Sequence, residues 1–331
     1  MTGRPAHRQA TGAPISPLGH IRLAITADDM MLLRGWRHAP GHDVESVTQA
    51  FITALGTVGV SGVYQFSNTA PVEDDPHLAE AFDLWMASGH YIGNHTRHHP
   101  SLNLMTAEAY LREIEMAEAD IGQYIESSPR RYFRFCGDFW GDTLEKRNAV
   151  LEGLSELRYT AAPVSVFFHD TEWACAYRRV ILKGLPDDAE RIRAAYVDSA
   201  VHDLRIAAAN ARAIFGRDPV HIWLIHGTSI AADCLEQILS RYLEAGVVFV
   251  PLEEAMEDPM NASPPAFITS ELMFQVEKWG NALGVPINRT TAEFLAELEM
   301  LHPMTGEMDS DRTAAISRAI KAHAEIESPL R

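Results

Sequence analysis

The chain has 331 residues, 47% apolar and 22% charged, which is ample for a large core and ordinary for a globular protein. Its formal charge of −17 removes the basic footprint that phosphate backbones or anionic membranes require, so nucleic-acid and membrane partners are excluded from the expected functions. Three cysteines, Cys136, Cys175 and Cys234, give no disulfide framework and no CxxC pair.

Residues 1–19 are Pro, Gly, Thr and Ala without periodicity and read as a flexible arm. They hold no apolar signal region, and no window of the chain is long and apolar enough to span a bilayer, so a cytoplasmic location is expected. A short apolar run at 21–26 predicts a buried strand that delivers Asp28 and Asp29 at its end. Helical spacing follows over 44–60, a strand over 61–67, a helix over 76–89 and a strand over 90–95. The alternation continues with a helix at 106–128, a strand at 131–137, a helix at 143–157 and a strand at 159–168. Two helical stretches are expected within 186–215, then a strand at 219–226, a helix at 233–246 and a strand at 247–252. Such repetition predicts parallel βαβ units. After residue 256 the strand signals stop. Prolines at 264 and 265 mark a boundary, and 266–325 reads as three helical pieces.

Polar residues fall where these strands end. Asp28 and Asp29 follow the first strand, His95 and His99 the third, and Arg134 lies in the fourth. Glu172 follows the fifth strand and His226 ends the sixth. Parallel strands of a barrel open their C-terminal ends on one face, so these groups should share a rim. His95 and His99 are spaced i, i+4. If the chain turns helical at residue 94, both rings lie on one face and can bind one metal together with a carboxylate from Asp28 or Asp29. Taken alone, the histidine-rich stretch fits a solvated turn equally well. Two adjacent acids also suit a helix cap, and a histidine after "IWLI" suits a core position.

The ordered set resembles the polysaccharide deacetylase family, the NodB-homology domain of carbohydrate esterase family four. Its opening Thr-Phe-Asp-Asp-Gly motif reads "TADDM", its metal motif "HTRHHPSL", its arginine motif "FRFCGD", its Asp-Trp motif "HDTEW" and its last motif "LIH". The match in order and spacing runs from about residue 21 to 256.

The resemblance implies a distorted (β/α) barrel of about seven strands, an α/β fold, over residues 20–260; the helical C-terminal extension over 261–331 lies outside it and is read from the sequence pattern alone. It implies that Asp29, His95 and His99 hold one divalent ion, zinc or cobalt. Asp28 would be the general base, oriented and kept ionised by Arg134. His226 would be the general acid, with Glu172 as its carboxylate partner. Gly137 and Trp173 would shape the oxyanion and substrate contacts. The implied reaction is metal-dependent cleavage of a non-peptide C–N bond, deacetylating an N-acetylated sugar or a related N-acyl compound. A small-amide, cyclic-imide or ureide hydrolase is the alternative, and an inactive carbohydrate-binding module the second. The C-terminal helices are expected to shape access or to join copies of the chain. Ala27, Met30 and "FCGD" depart from the family pattern, as does Glu172 for the usual Asp. The first acid of the Asp-Trp motif aligns with His169, beside Asp170.

Overall fold

The structure, a computed structural model, describes residues 20–288. The N-terminal arm and the expected tail helices beyond residue 288 lie outside the described residues. Seven parallel strands form the frame: β1 (Arg22–Asp28), β2 (Tyr64–Ser67), β3 (Tyr91–Asn94), β4 (Tyr132–Phe133), β5 (Thr160–Ala161), β6 (His221–His226) and β7 (Val248–Phe249). Their order is β5-β4-β3-β2-β1-β6, with β7 also paired to β1. The result is the expected distorted (β/α) barrel.

Side chains alternate along each strand, and β1 shows the consequence. Leu23, Ile25 and Ala27 join the large core between strands and helices, whereas Ala24 joins a second cluster with Tyr64 and Ile222. Ala24 pairs with Ile222, Thr26 with Leu224 and Asp28 with His226, so these residues share a face and form successive levels. Asp28 also pairs with Phe66 of β2. The apolar levels at the bottom therefore give way to a charged level at the C-terminal end.

The helices begin where the sequence offers a cap. Thr106, Thr143 and Thr228 each accept the backbone N–H three residues on, at 3.1–3.3 Å, opening helices Ala107–Ser127, Leu144–Glu156 and Ser229–Glu244. The last starts four residues before its apolar periodicity suggests, because Thr228 sets the boundary. The region expected to hold two helices within 186–215 is one 30-residue helix, Pro186–Phe215. Proline opens it, Gly216 at φ 66° closes it, and neither residue type interrupts it. A separate helix, Asp170–Leu182, precedes it.

The expected ten-residue strand at 159–168 divides at Pro163, which has no N–H to offer. Before it, Ala162 N donates to Phe133 O of β4. After it, Ser165 N and Val166 N donate to Ile222 O of β6, and Leu224 N donates to Val166 O. One stretch thus carries the barrel from β4 across to β6.

Beyond β7 come the short helices Leu252–Glu257 and Pro259–Ala262, then Gln275–Leu283. No strand follows β7 among the described residues. The segment after the prolines lies on the barrel: Arg147 Nη1 donates to Pro265 O and Gln275 N to Val164 O.

Candidate active site

Asp28 is the last residue of β1 and is 2% exposed. Arg134, just past β4, donates through Nη1 to Asp28 Oδ1 at 2.8 Å and to Thr26 Oγ1 at 2.7 Å. Its guanidinium lies over the Phe66 ring at 4.2 Å. That ring has room because residue 93 is glycine: a Cβ there would sit 2.5 Å from Phe66. A cation beside Asp28 was expected to hold it ionised. Burial outweighs it: desolvation pushes Asp28 up to about 7 against the opposing charges of Arg134 and His226.

Asp29 turns out of the strand at φ 51°, so its carboxylate swings to the same side as that of Asp28. Asn68 Nδ2 donates to its Oδ1 at 2.7 Å, and His99 Nε2 is 3.3 Å from its Oδ2. Burial favours protonation of Asp29, but His99, His95 and His226 together with Asn68 reverse this and hold it below the usual carboxylate range.

His95 and His99 do meet, with ring centroids 4.8 Å apart. They do not share a helix. β3 ends at Asn94, and a loop with Thr96 at φ 68° and His99 at φ 57° brings the rings together. Glu113, fully buried on helix Ala107–Ser127, organises that loop: its carboxylate accepts the backbone N–H of His98 and contacts His98 Nδ1, both at 2.9 Å. The third histidine of the run is thereby committed to Glu113. His95 Nδ1 lies 2.8 Å from Arg134 O, a contact that requires Nδ1–H and leaves Nε2 with its lone pair. Nε2 is 3.7 Å from Asp28 Oδ2 and 3.9 Å from Asp29 Oδ1. Burial lowers His95 to about 3, so the ring is neutral.

These distances suit a divalent ion, since ligand atoms around a tetrahedral zinc lie roughly 3.3 Å apart. Asp29, His95 and His99 supply one oxygen and two nitrogens, a borderline donor set. Cys136 is a further neighbour that the sequence reading left out: its sulfur and the two histidines have ligand atoms within 4.8 Å of one another. The thiol rests 3.4 Å from both His95 O and Thr96 Oγ1, and burial raises it well above its usual range. Burial disfavours its thiolate, whereas Asp29 is already held in its charged form beside the two rings.

His226 ends β6. Its carboxylate partner is Asp170, not the expected Glu172. Asp170 Oδ1 lies 2.7 Å from His226 Nδ1, and Oδ2 accepts the His226 backbone N–H at 2.6 Å. His169 stands at φ 55° and starts the helix at Asp170, which turns that acid toward β6. Two residues further along a helix is a rotation of about 200°, so Glu172 cannot face the same group. Glu172 lines the cavity instead and accepts from Thr171 Oγ1 at 2.8 Å. Burial alone would lower His226. Asp170, by charge and hydrogen bond, with help from Asp29 and Asp28, lifts it to about 9.

Gly137 lies at φ 60° on the cavity wall, and a Cβ there would press to 2.8 Å on the Phe139 ring. Trp173, expected at the substrate, is not among the residues lining the cavity. It is 3% exposed and packs in the core against Tyr196. The wall beside Gly137 is tied down from an unexpected direction. Lys278 of helix Gln275–Leu283 donates to Asp138 Oδ2 and Asp138 O, each at 2.7 Å, and Trp140 Nε1 donates to Asp138 Oδ1. Burial pushes Asp138 up and Lys278 down, each partner opposing the other's shift.

Residues 17–162 match the model of the family described as polysaccharide deacetylase. The matched stretch is thus similar to that family over somewhat less than half of the chain. The matched region carries Asp28, Asp29, His95, His99 and Arg134, while Asp170 and His226 lie beyond it. Similar solved structures include PdaA of Bacillus subtilis, a family 4 carbohydrate esterase, at 19% identity over 73% of this chain and 82% of that chain, TM-score 0.45. The CE4 family pseudoenzyme BA3943 of Bacillus anthracis is 14% identical over 74% and 69%, TM-score 0.46. The catalytic domain of the peptidoglycan N-acetylglucosamine deacetylase from Eubacterium rectale is 16% identical over 73% and 92%, TM-score 0.46. At these identities and scores none of the three bears on the chemistry of this protein. No curated protein matches the chain by sequence. No helix among the described residues is long and apolar enough to cross a membrane.

Proposed function

We propose that the protein is a metal-dependent hydrolase of a non-peptide C–N bond, deacylating an N-acetylated sugar or a related N-acyl compound. The observation that carries this reading is the pair of acid–base groups, Asp28 with Arg134 and His226 with Asp170, on the strand ends beside the Asp29, His95 and His99 cluster. Amide hydrolysis needs both. A water must lose a proton as its oxygen bonds to the acyl carbon, and the departing nitrogen must gain one as the C–N bond breaks. Asp28, held by Arg134, is placed to take the first proton. His226, kept protonated by Asp170, is placed to give the second. An ion held by Asp29, His95 and His99 would supply Lewis-acid polarisation of the carbonyl and a more acidic water.

Pure binding would require neither dyad, and the cost of burying Asp28 speaks against an inactive module. The test is metal content together with turnover. Replacing His95 or His99 by Ala is expected to abolish stoichiometric zinc in the purified protein and with it hydrolysis of N-acetyl substrates. Full zinc occupancy in both variants would remove the ion from this place.

A further inference from the structure

The cavity above the candidate site has a volume of about 530 Å³, within the range of small-molecule sites. Its floor is charged, but one wall is hydrocarbon. Val164, Phe167, Leu224 and Phe274 form an apolar cluster separate from the main core, and all four line the cavity. The Phe167 ring stands 5.5 Å from the His226 ring, so this wall reaches the reacting groups. Leu272, also a lining residue, is 41% exposed at the cavity. Leu272 and Phe274 come from the segment after the barrel, which therefore builds part of the wall.

Such a surface gains most from a partner that buries it, and the gain grows with each methylene. A sugar hydroxyl placed on these side chains would be desolvated, and none of the four carries a donor or acceptor of its own. An acetyl methyl covers little of it. We propose that the substrate carries an apolar substituent of about four carbons or more beside the scissile amide, held by Phe167, Leu272 and Phe274. This rests on the amide-hydrolysis reading above. The substituent could sit on the acyl or the amine side, and the two products separate these sources.

The test is calorimetric binding of product pairs to the zinc-loaded full chain: hexanoate against acetate, and hexylamine against methylamine. In one pair the six-carbon member is expected to bind about tenfold more tightly or better. Which pair shows it assigns the side. Leu272→Asp, at an exposed position that a folded protein tolerates, is expected to shrink that advantage several-fold. Equal affinities within both pairs for the unaltered protein would overturn the proposal. Turnover of N-hexanoyl and N-acetyl amides, measured in parallel, tests the reaction separately. A six-carbon preference in binding with no turnover of any amide would sink the amide reading and leave the apolar ligand class. Turnover without any chain-length preference in rate or binding would sink the proposal alone.

Discussion

In the proposed reaction two residues on neighbouring strand ends, Asp28 and His226, would carry opposite duties, and each has a charged neighbour within hydrogen-bond distance. Replacing Asp28 by Asn keeps its shape and its place beside Arg134 but removes the proton acceptor. Turnover is expected to fall roughly 10²–10⁴-fold with zinc content unchanged. Near-normal turnover in a zinc-replete variant would assign water activation to another group. His226 must be protonated to act, so activity should decline as pH rises through its value of about 9. Asp170→Asn removes the carboxylate that offsets burial. The alkaline limb of the pH–rate profile should then move down by roughly two units, toward or below the ordinary histidine value. Glu172→Gln should leave that limb in place, because Asp170 rather than Glu172 contacts the imidazole. A limb that moves with Glu172 and not with Asp170 would reverse the assignment. The sequence placed the acid within two residues of its true position. What it could not show was the left-handed conformation of His169, which fixes where the helix starts and so which carboxylate faces β6.

Among the elements, the helix Gln275–Leu283 does more than extend the chain, since its Lys278 is joined to Asp138 inside the protein. Lys278→Met would leave the Asp138 carboxylate buried without its cation, a loss of about 3–5 kcal/mol. Adding Asp138→Asn should restore much of that stability, because the charge disappears while Trp140 keeps an oxygen acceptor. Denaturant unfolding of the single and double variants checks this, and equal losses in both would mean that the pair contributes only packing. The strands β1 and β6 were legible as short apolar runs and helix Ala107–Ser127 by apolar residues at helical spacing. The Lys278–Asp138 link was not. It joins residues 140 apart, and neither sits in a pattern that distinguishes a buried ion pair from two surface charges. The loop of His95 and His99 was legible in its ligands and not in its shape, since positive φ at Thr96 and His99 has no glycine to announce it.

At the scale of the whole molecule, the parallel strands and the position of the polar cluster at their C-terminal ends follow from βαβ repetition, and both could be read before any coordinates, whereas the strand order could not. Closure of the barrel could not, because it depends on one proline dividing an apparently continuous strand. That division leaves the stretch around Val164 paired to neighbouring strands on either side of Pro163 but thinly covered at the break, where Val164 O is met by Gln275 N at 2.7 Å. The cover comes from the segment after residue 260. A chain ending there would present unpaired backbone groups beside Val164, Phe167 and Leu224, three apolar side chains with their Phe274 lid removed. Open β-structure of this kind recruits strands from other molecules. The truncated chain is therefore expected to scatter light and to elute as large assemblies, even at concentrations where the intact chain does not. A well-behaved truncated monomer would show that the barrel guards its own seam. If the assemblies form, the segment that shapes the cavity doubles as the protein's safeguard against aggregation, and substitutions that loosen it should lower solubility before they lower activity.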